Sequence, residues 1–195
     1  FDAGRGITRL DRPVISVGNL TTGGTGKTPL VAWIARMLID QGLEPVIAMR
    51  GYGARPGERS DEEAEYREQL PATQVLAHPD RVTMLQTYLP GHPMVQCVLI
   101  DDGFQHRQLH RDLDLVLIDA AANTFGNRLL PAGHLREPVA NLKRADGVII
   151  TRTGAASGDE IATLKSLVER HHGKPPLAWI DHQWKGLSLY GSQDG

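Results

Sequence analysis

PVISVGNLTTGGTGKTPL, residues 13–30, is the stretch whose reading decides the fold. It opens with a short β-branched run, residues 13–17, that ends at Gly18 and enters a Gly/Thr-rich loop, the signature of a buried strand feeding a turn. Beyond the loop, Leu30, Val31, Ile34, Met37 and Leu38 recur at helical spacing. With Pro29 in the first turn and Gly42 past the end, they predict a helix over residues 28–41. The loop itself, TTGGTGKT, carries the chemistry. Its glycines let the backbone curl until several N–H groups converge on phosphate oxygens, and the helix N-terminus adds partial positive charge. Thr21, Thr22, Gly23, Gly24, Thr25, Gly26, Lys27 and Thr28 are therefore expected to bind a nucleotide. Lys27 would reach the β/γ-phosphates and the Thr28 hydroxyl would hold Mg²⁺. Thr21 stands where the G-x-x-x-x-G-K-[ST] pattern has its first glycine, but strand, loop, Lys-Thr and helix keep their order.

Working outward, residues 45–49, 95–100, 113–118 and 147–151 read as further strands, and residues 61–69, 79–88 and 157–171 as helices. Strands that alternate with helices and are apolar on both faces predict an α/β fold. The expected form is P-loop NTPase-like (Rossmann-like): a mostly parallel sheet with helices on both faces, in a single domain over residues 1–195. The segments GARPGER (residues 53–59) and 125–138 read as loops, and loops of the second length are often functional. A P-loop also needs a carboxylate at a neighbouring strand end to share the metal. The run VQCVLIDD supplies Asp101 and Asp102. A turn or helix cap is the ordinary reading of two adjacent aspartates, and the upstream loop tells against it.

The bulk properties narrow the partners. A net charge of -2 and a pI near 6.5 give no long-range attraction to nucleic acid, so none is expected. Cys97, the only cysteine, lies in an apolar run, which excludes an intramolecular disulfide and a thiolate metal cage and suits a reducing setting. No apolar run approaches the roughly 20 residues needed to cross a bilayer. Phe1 at the start and the polar stretch 190–195 at the end suggest a longer natural chain.

P-loop and acidic strand end alone specify an NTPase. Four longer strings go further: residues 13–30, then RGYG (50–53), DDGFQHRQLHRDLDLVLID (101–119) and FGNRLLPAGHLREP (125–138). In that order they resemble tetraacyldisaccharide 4′-kinases of lipid A biosynthesis. The resemblance implies an ATP- and Mg²⁺-dependent kinase that phosphorylates the 4′-hydroxyl of a tetraacylated glucosamine disaccharide 1-phosphate. It would act at the cytoplasmic face of the bacterial inner membrane as a peripheral protein, its lipid substrate its partner, with no obligate protein partner. It covers nearly all of this sequence but only the larger N-terminal part of the family's architecture. The membrane-associating N-terminal helix and a C-terminal Asp-His-His motif with a catalytic histidine are unmatched, so this stretch alone is expected to bind Mg-ATP and transfer phosphate poorly. His182 in WIDHQW lies too early and lacks the paired histidine.

By the same resemblance, Lys27, Asp102, Gln105, His106, Arg136 and Glu137 are candidate catalytic residues, with Thr28, Asp101 and Asp102 toward the metal. Arg136 is chemically apt, since a guanidinium grips phosphate with two donors. The family's acceptor-activating aspartate lies in a Gly-Asp-Glu-Pro motif. Its counterpart here is Asp61 in RSDEEAEYREQL, where Ser60 and Glu63 replace Gly and Pro. An acidic helix start with Ser60 as N-cap and Glu63 closing a capping box reads equally well, and both can hold. A partitioning or regulatory ATPase is the rival class, but Thr22 occupies the position of its signature lysine. A GTPase would need an Asn-Lys-x-Asp set where ITRTG (150–154) stands. His171 and His172 read as helix C-terminal residues favourable to the dipole, in preference to a metal role, and residues 78–81 as a turn into a helix, with substrate contact the lesser alternative. Trp179 and Trp184 fit either core or interface.

Overall fold

A computed structural model describes residues 6–51 and 60–181; GARPGER, His182, Trp184 and the last residues lie outside it. Seven strands form one sheet: β1 (Val14–Asn19), β2 (Pro45–Met49), β3 (Gln74–Ala77), β4 (Cys97–Asp101), β5 (Leu113–Asp119), β6 (Gly147–Thr151) and β7 (Ala178–Ile180). Their order is β3-β2-β4-β1-β5-β6-β7, and every pairing is parallel. The expected strands are all present within two residues of their predicted bounds. The four expected helices are α1 (Lys27–Asp40), α2 (Asp61–Gln69), α3 (Arg81–Tyr88) and α4 (Gly158–His172).

Strand parity explains the layers, because successive side chains leave opposite faces of a sheet. In β2, Ile47 and Met49 join Leu99, Leu115 and Leu117 against Leu30, Val31, Ile34 and Tyr66 of α1 and α2. Val46 and Ala48, with Val98 and Ile100, turn the other way to meet Leu85 of α3. Val116, Ile118, Val148 and Ile150 pack on Leu164 and Val168 of α4. Both faces are thus covered, which is why the central strands read as unbroken apolar runs.

Two close approaches seal the sheet's C-terminal edge. A Cβ on Gly18 would stand 2.5 Å from that of Phe104, and one on Gly103 would strike the Ser16 hydroxyl. Glycine at both positions lets the chain leaving β4 fold down onto β1. The order also sets β1, whose connection runs toward β2, beside β5, whose connection runs the other way toward β6; the crevice outside such a switch point is where ligands of open α/β sheets bind.

The two missed strands, β3 and β7, lie at the edges and have four and three residues. Trp179 lies on β7, 39% exposed. Residues 120–138 connect β5 to β6 without a helix, followed by a 3-10 turn at Val139–Arg144.

Candidate active site

The loop between β1 and α1 wraps as its composition demands. Gly23 and Gly26 have φ of 116° and 86°, values side chains resist, and Gly26 caps α1 in the left-handed conformation. Neither the cap nor the first turn of α1 supplies a side-chain acceptor or an acidic residue, so the positive helix end is left for an external anion. Beneath the loop lies Asn19, fully buried at the tip of β1. Its amide donates to Thr25 Oγ1 at 2.9 Å, and its Oδ1 accepts from Lys27 Nζ at 3.4 Å.

Opposite the loop stands the tip of β4, brought level by the Val17↔Asp101 register. Its two aspartates have contrasting surroundings. Asp101 is 3% exposed; Tyr66 donates to its Oδ2 at 2.7 Å, and the Thr28 hydroxyl lies 3.5 Å from the same oxygen. Burial pushes this carboxyl up to about 6, opposed by the Tyr66 hydrogen bond and the Lys27 charge. Burial also acts on Asp102, but the hydrogen bonds from Arg136 and the charges of Lys27, Arg136 and Arg81 outweigh it and hold that carboxyl below the usual range. Arg136 forks onto Asp102 at 2.6 and 2.7 Å, and Lys27 Nζ is 3.6 Å away. Its Nη2 also reaches the carbonyl of Asn19 at 3.1 Å, and the Asn19 side-chain oxygen more closely.

The anchoring of Arg136 is local. Thr22 N donates to His134 O at 2.8 Å and Arg136 N to Leu20 O at 2.8 Å, so the irregular segment pairs with the start of the phosphate loop like a short extra strand. Arg81 is buried and donates to the carbonyls of Asp101 and Asp102 at 3.0 and 3.1 Å. It follows Asp80, whose side chain caps α3 through Thr83 N, so the expected turn into a helix is present and also delivers a charge beneath the acidic tip.

Residues 21–29, Asp101, Asp102 and Arg136 line one cleft of about 780 Å³, together with Met49, Arg50, Glu62, Glu65 and Leu130. Gln105 and Glu137 form a layer behind it: Gln105 Nε2 donates to Asn19 O at 2.9 Å and to Glu137 Oε1 at 2.8 Å. Glu137 is held in turn by Asn141 and Arg144 at 2.7 and 2.8 Å. His106 is outside the cleft lining; burial, with Arg81 and Arg111 near, pushes its imidazole down to about 4, so the ring is neutral at physiological pH. Asp61 occupies the exposed first position of α2, and it is Glu62 and Glu65 that face the cleft. Ser60 caps that helix by accepting from Glu63 N at 3.2 Å. His172 is buried against the Ala145 carbonyl at 3.0 Å and His171 stacks on Phe125, so both act structurally at the end of α4.

Several residues that build this site were missed from sequence. Asn19 carried a weak signal, a polar side chain closing an apolar strand; Tyr66 is the only aromatic residue in a very polar helix. Arg81 was read as part of a turn into a helix, and nothing but its charge signalled its place beneath the acidic tip.

Three comparisons bear on this geometry. The family model described as Tetraacyldisaccharide-1-P 4′-kinase matches residues 5–185. Among curated proteins, a tetraacyldisaccharide 4′-kinase of Pseudomonas putida is 43% identical over 153 residues, covering 72% of this chain and 46% of its own length. One of Geobacter metallireducens is 38% identical over 203 residues, covering 94% of this chain and 56% of its own. The chain thus spans about half the length of these relatives. The solved LpxK of Aquifex aeolicus, an apo form in complex with ATP, matches with a TM-score of 0.68 at 26% identity, covering 96% of this chain and 77% of that one.

Proposed function

The chain belongs to the tetraacyldisaccharide-1-P 4′-kinase family, and from that premise we propose that it forms the nucleotide-binding part of an enzyme that transfers the γ-phosphoryl group of ATP to the 4′-hydroxyl of a tetraacylated glucosamine disaccharide 1-phosphate. The observation that carries this reading is the cleft itself: a glycine loop at a helix N-terminus, Lys27, and a strand-tip carboxylate pair facing one another around about 780 Å³. Phosphoryl transfer asks a protein mainly to position its reactants and neutralise developing charge. The amides of the loop and Lys27 would hold the phosphates. Arg136 adds a second permanent positive charge beside Lys27.

Magnesium fits the residues present. Asp101 Oδ1 is buried without a partner, and the hydroxyl of Thr28 stands beside the same carboxylate, a set of hard oxygen donors. Thr28, Asp101 and Asp102 would hold the ion, which when bound supplies charge neutralisation at the phosphate oxygens. Gln105 and Glu137 would keep Asn19, and through it Lys27, in place. The acceptor hydroxyl would lose its proton to a carboxylate at the start of α2, where Asp61 is the counterpart of the family's aspartate, in a motif that departs from the family's, and Glu62 and Glu65 face the cleft.

The remaining family machinery is expected outside these residues: a membrane-associating helix, a catalytic histidine, and peripheral attachment at the cytoplasmic face of the inner membrane. Among the described residues, no helix is long and apolar enough to cross a membrane. The test is transfer of labelled phosphate from ATP to the disaccharide lipid by the longer, full-length protein of which these residues are expected to be part. Lys27→Ala should abolish nucleotide binding and product together; an unchanged affinity for ATP in that variant would remove the phosphate-loop reading, and absence of lipid product from the unaltered protein would remove the kinase reading.

A further inference from the structure

Three consecutive carbonyls of the phosphate loop are tied down from outside. Gly23 O accepts from Asn19 Nδ2 at 3.4 Å, Gly24 O from Arg152 Nη2 at 2.9 Å, and Thr25 O from Thr151 Oγ1 at 3.0 Å. In a trans peptide the C=O of one residue and the N–H of the next point in opposite directions. Fixing the carbonyls of residues 23, 24 and 25 therefore fixes where the amides of Gly24, Thr25 and Gly26 point. Among the described residues these three amides meet no acceptor.

Two of the three ties come from the tip of β6, on the opposite side of β1 from the acidic tip of β4. The β6 tip is rigidly built. Asp119 and Thr151 are register partners, and Asp119 is 2% exposed. Asp119 accepts from Arg152 Nε at 2.9 Å and makes a closer contact with its Nη2, while its Oδ1 also takes the amide of Ala121 at 2.9 Å. Arg152 adopts φ of 57°, and Asp102 at the β4 tip has 55°; they are the two non-glycine residues with left-handed backbone among the described residues. Such strain persists where surrounding contacts over-determine it, as the Asp119 pair and the Gly24 carbonyl do here.

We infer that the β6 tip is a brace for the phosphate loop: Thr151 and Arg152 are positioning residues that hold the Thr25 and Gly24 carbonyls outward so that the loop amides stay preset for a nucleotide's phosphates, with Asp119 as the anchor of Arg152. The inference rests on the nucleotide reading of the loop and adds residues that neither the loop motif nor the acidic tip includes. Arg152 acts here through the Gly24 carbonyl, because its Nε and Nη2 are engaged by that oxygen and Asp119.

The experiment is equilibrium binding of ATP and ADP to the full-length protein, paired with KM for ATP and kcat on the lipid acceptor. Thr151→Val keeps the shape and removes the donor. It should weaken both nucleotides about fivefold to tenfold and raise KM by a similar factor, with kcat moving less than about threefold and Thr151→Ser restoring the wild-type values. Asp119→Asn separates bracing from simple charge attraction. Removing a negative charge near the site should tighten an anion if Arg152 acts only by its charge; loosening the anchor should weaken it if Arg152 braces the loop. Weaker ATP in Asp119→Asn, with the thermal midpoint of the nucleotide-free protein within a few degrees of wild type, supports the brace. Unchanged or tighter ATP in that variant, or nucleotide affinity within twofold of wild type in Thr151→Val, overturns it. Neither result touches the nucleotide reading, which stands or falls on Lys27→Ala.

Discussion

Two strand tips flank the phosphate loop, and they treat it in opposite ways. The β4 tip presents carboxylates to the cleft of about 780 Å³, where Asp102 pairs directly with Lys27 and Arg136. The β6 tip presents nothing to that space and instead grips the loop's carbonyls. On the proposed function, one tip is built toward a ligand and the other toward the backbone that receives it. The difference teaches that residues at equivalent places in a sheet can carry chemistry or preorganisation, and that kinetics should separate them: changes at the ligand-facing tip belong in kcat, changes at the gripping tip in KM.

The largest effect should come from the β4 tip. Asp102→Asn removes the charge that Arg136 and Lys27 share and, on the proposed function, one metal contact. We expect kcat to fall about a hundredfold or more while ATP affinity without metal changes little. Steady-state kinetics with varied ATP and Mg²⁺ would check this. A defect confined to KM would erase the contrast with the β6 tip.

How much of this was legible in the sequence depends on where each residue looks. The five central strands were readable because they are covered on both faces and are therefore continuously apolar; β3 and β7 were not, because an edge strand of three or four residues shows no such run. Likewise the loop and the acidic tip stood out in the sequence, since the phosphate and magnesium roles proposed for them restrict the residue types that can serve. Thr151 and Arg152 do their work through a backbone carbonyl, which almost any donor could satisfy, so no motif announces them. Asp61 shows a third case. Its place in the chain was matched to a motif, whereas which carboxylate of α2 turns to the cleft depends on helix phase, and that phase is set by Tyr66 and Glu63 packing inward.

Tyr66 offers the second test, now of the contrast within the β4 tip. Asp101 lies inside and Asp102 outside, and only the inner one is held by a buried neutral donor. Tyr66→Phe deletes that donor and leaves a buried carboxylate poorly paired, at a cost of about 2 kcal/mol near pH 8. Urea unfolding in the absence of nucleotide and Mg²⁺ should show the loss, and at pH 5, where Asp101 is largely protonated, the loss should shrink to less than half. An equal loss at both pH values would mean that the hydroxyl matters for packing alone.

Asp101→Asn should give the smallest change, and one of opposite sign. The folded protein binds a proton on Asp101 up to about pH 6, whereas the unfolded chain releases it near the ordinary carboxylate value of 3.8. This group's contribution to stability therefore grows as pH falls from about 6 toward 4 and is lost as pH rises through 6. Asp102, held below the usual range by Arg136 and Lys27 against its burial, runs the other way: its contribution is present at neutral pH and fades only in acid. A neutral amide at 101 escapes the desolvation that an ionised carboxylate suffers there. The metal-free variant should thus be about 1 kcal/mol more stable than wild type at pH 8, with no advantage at pH 5. It would gain that stability while losing turnover, the signature of a side chain retained for a ligand at the expense of the fold. If it were less stable than wild type at pH 8, the inner aspartate would be serving the scaffold, and the division between the two tips would have to be redrawn one residue further out.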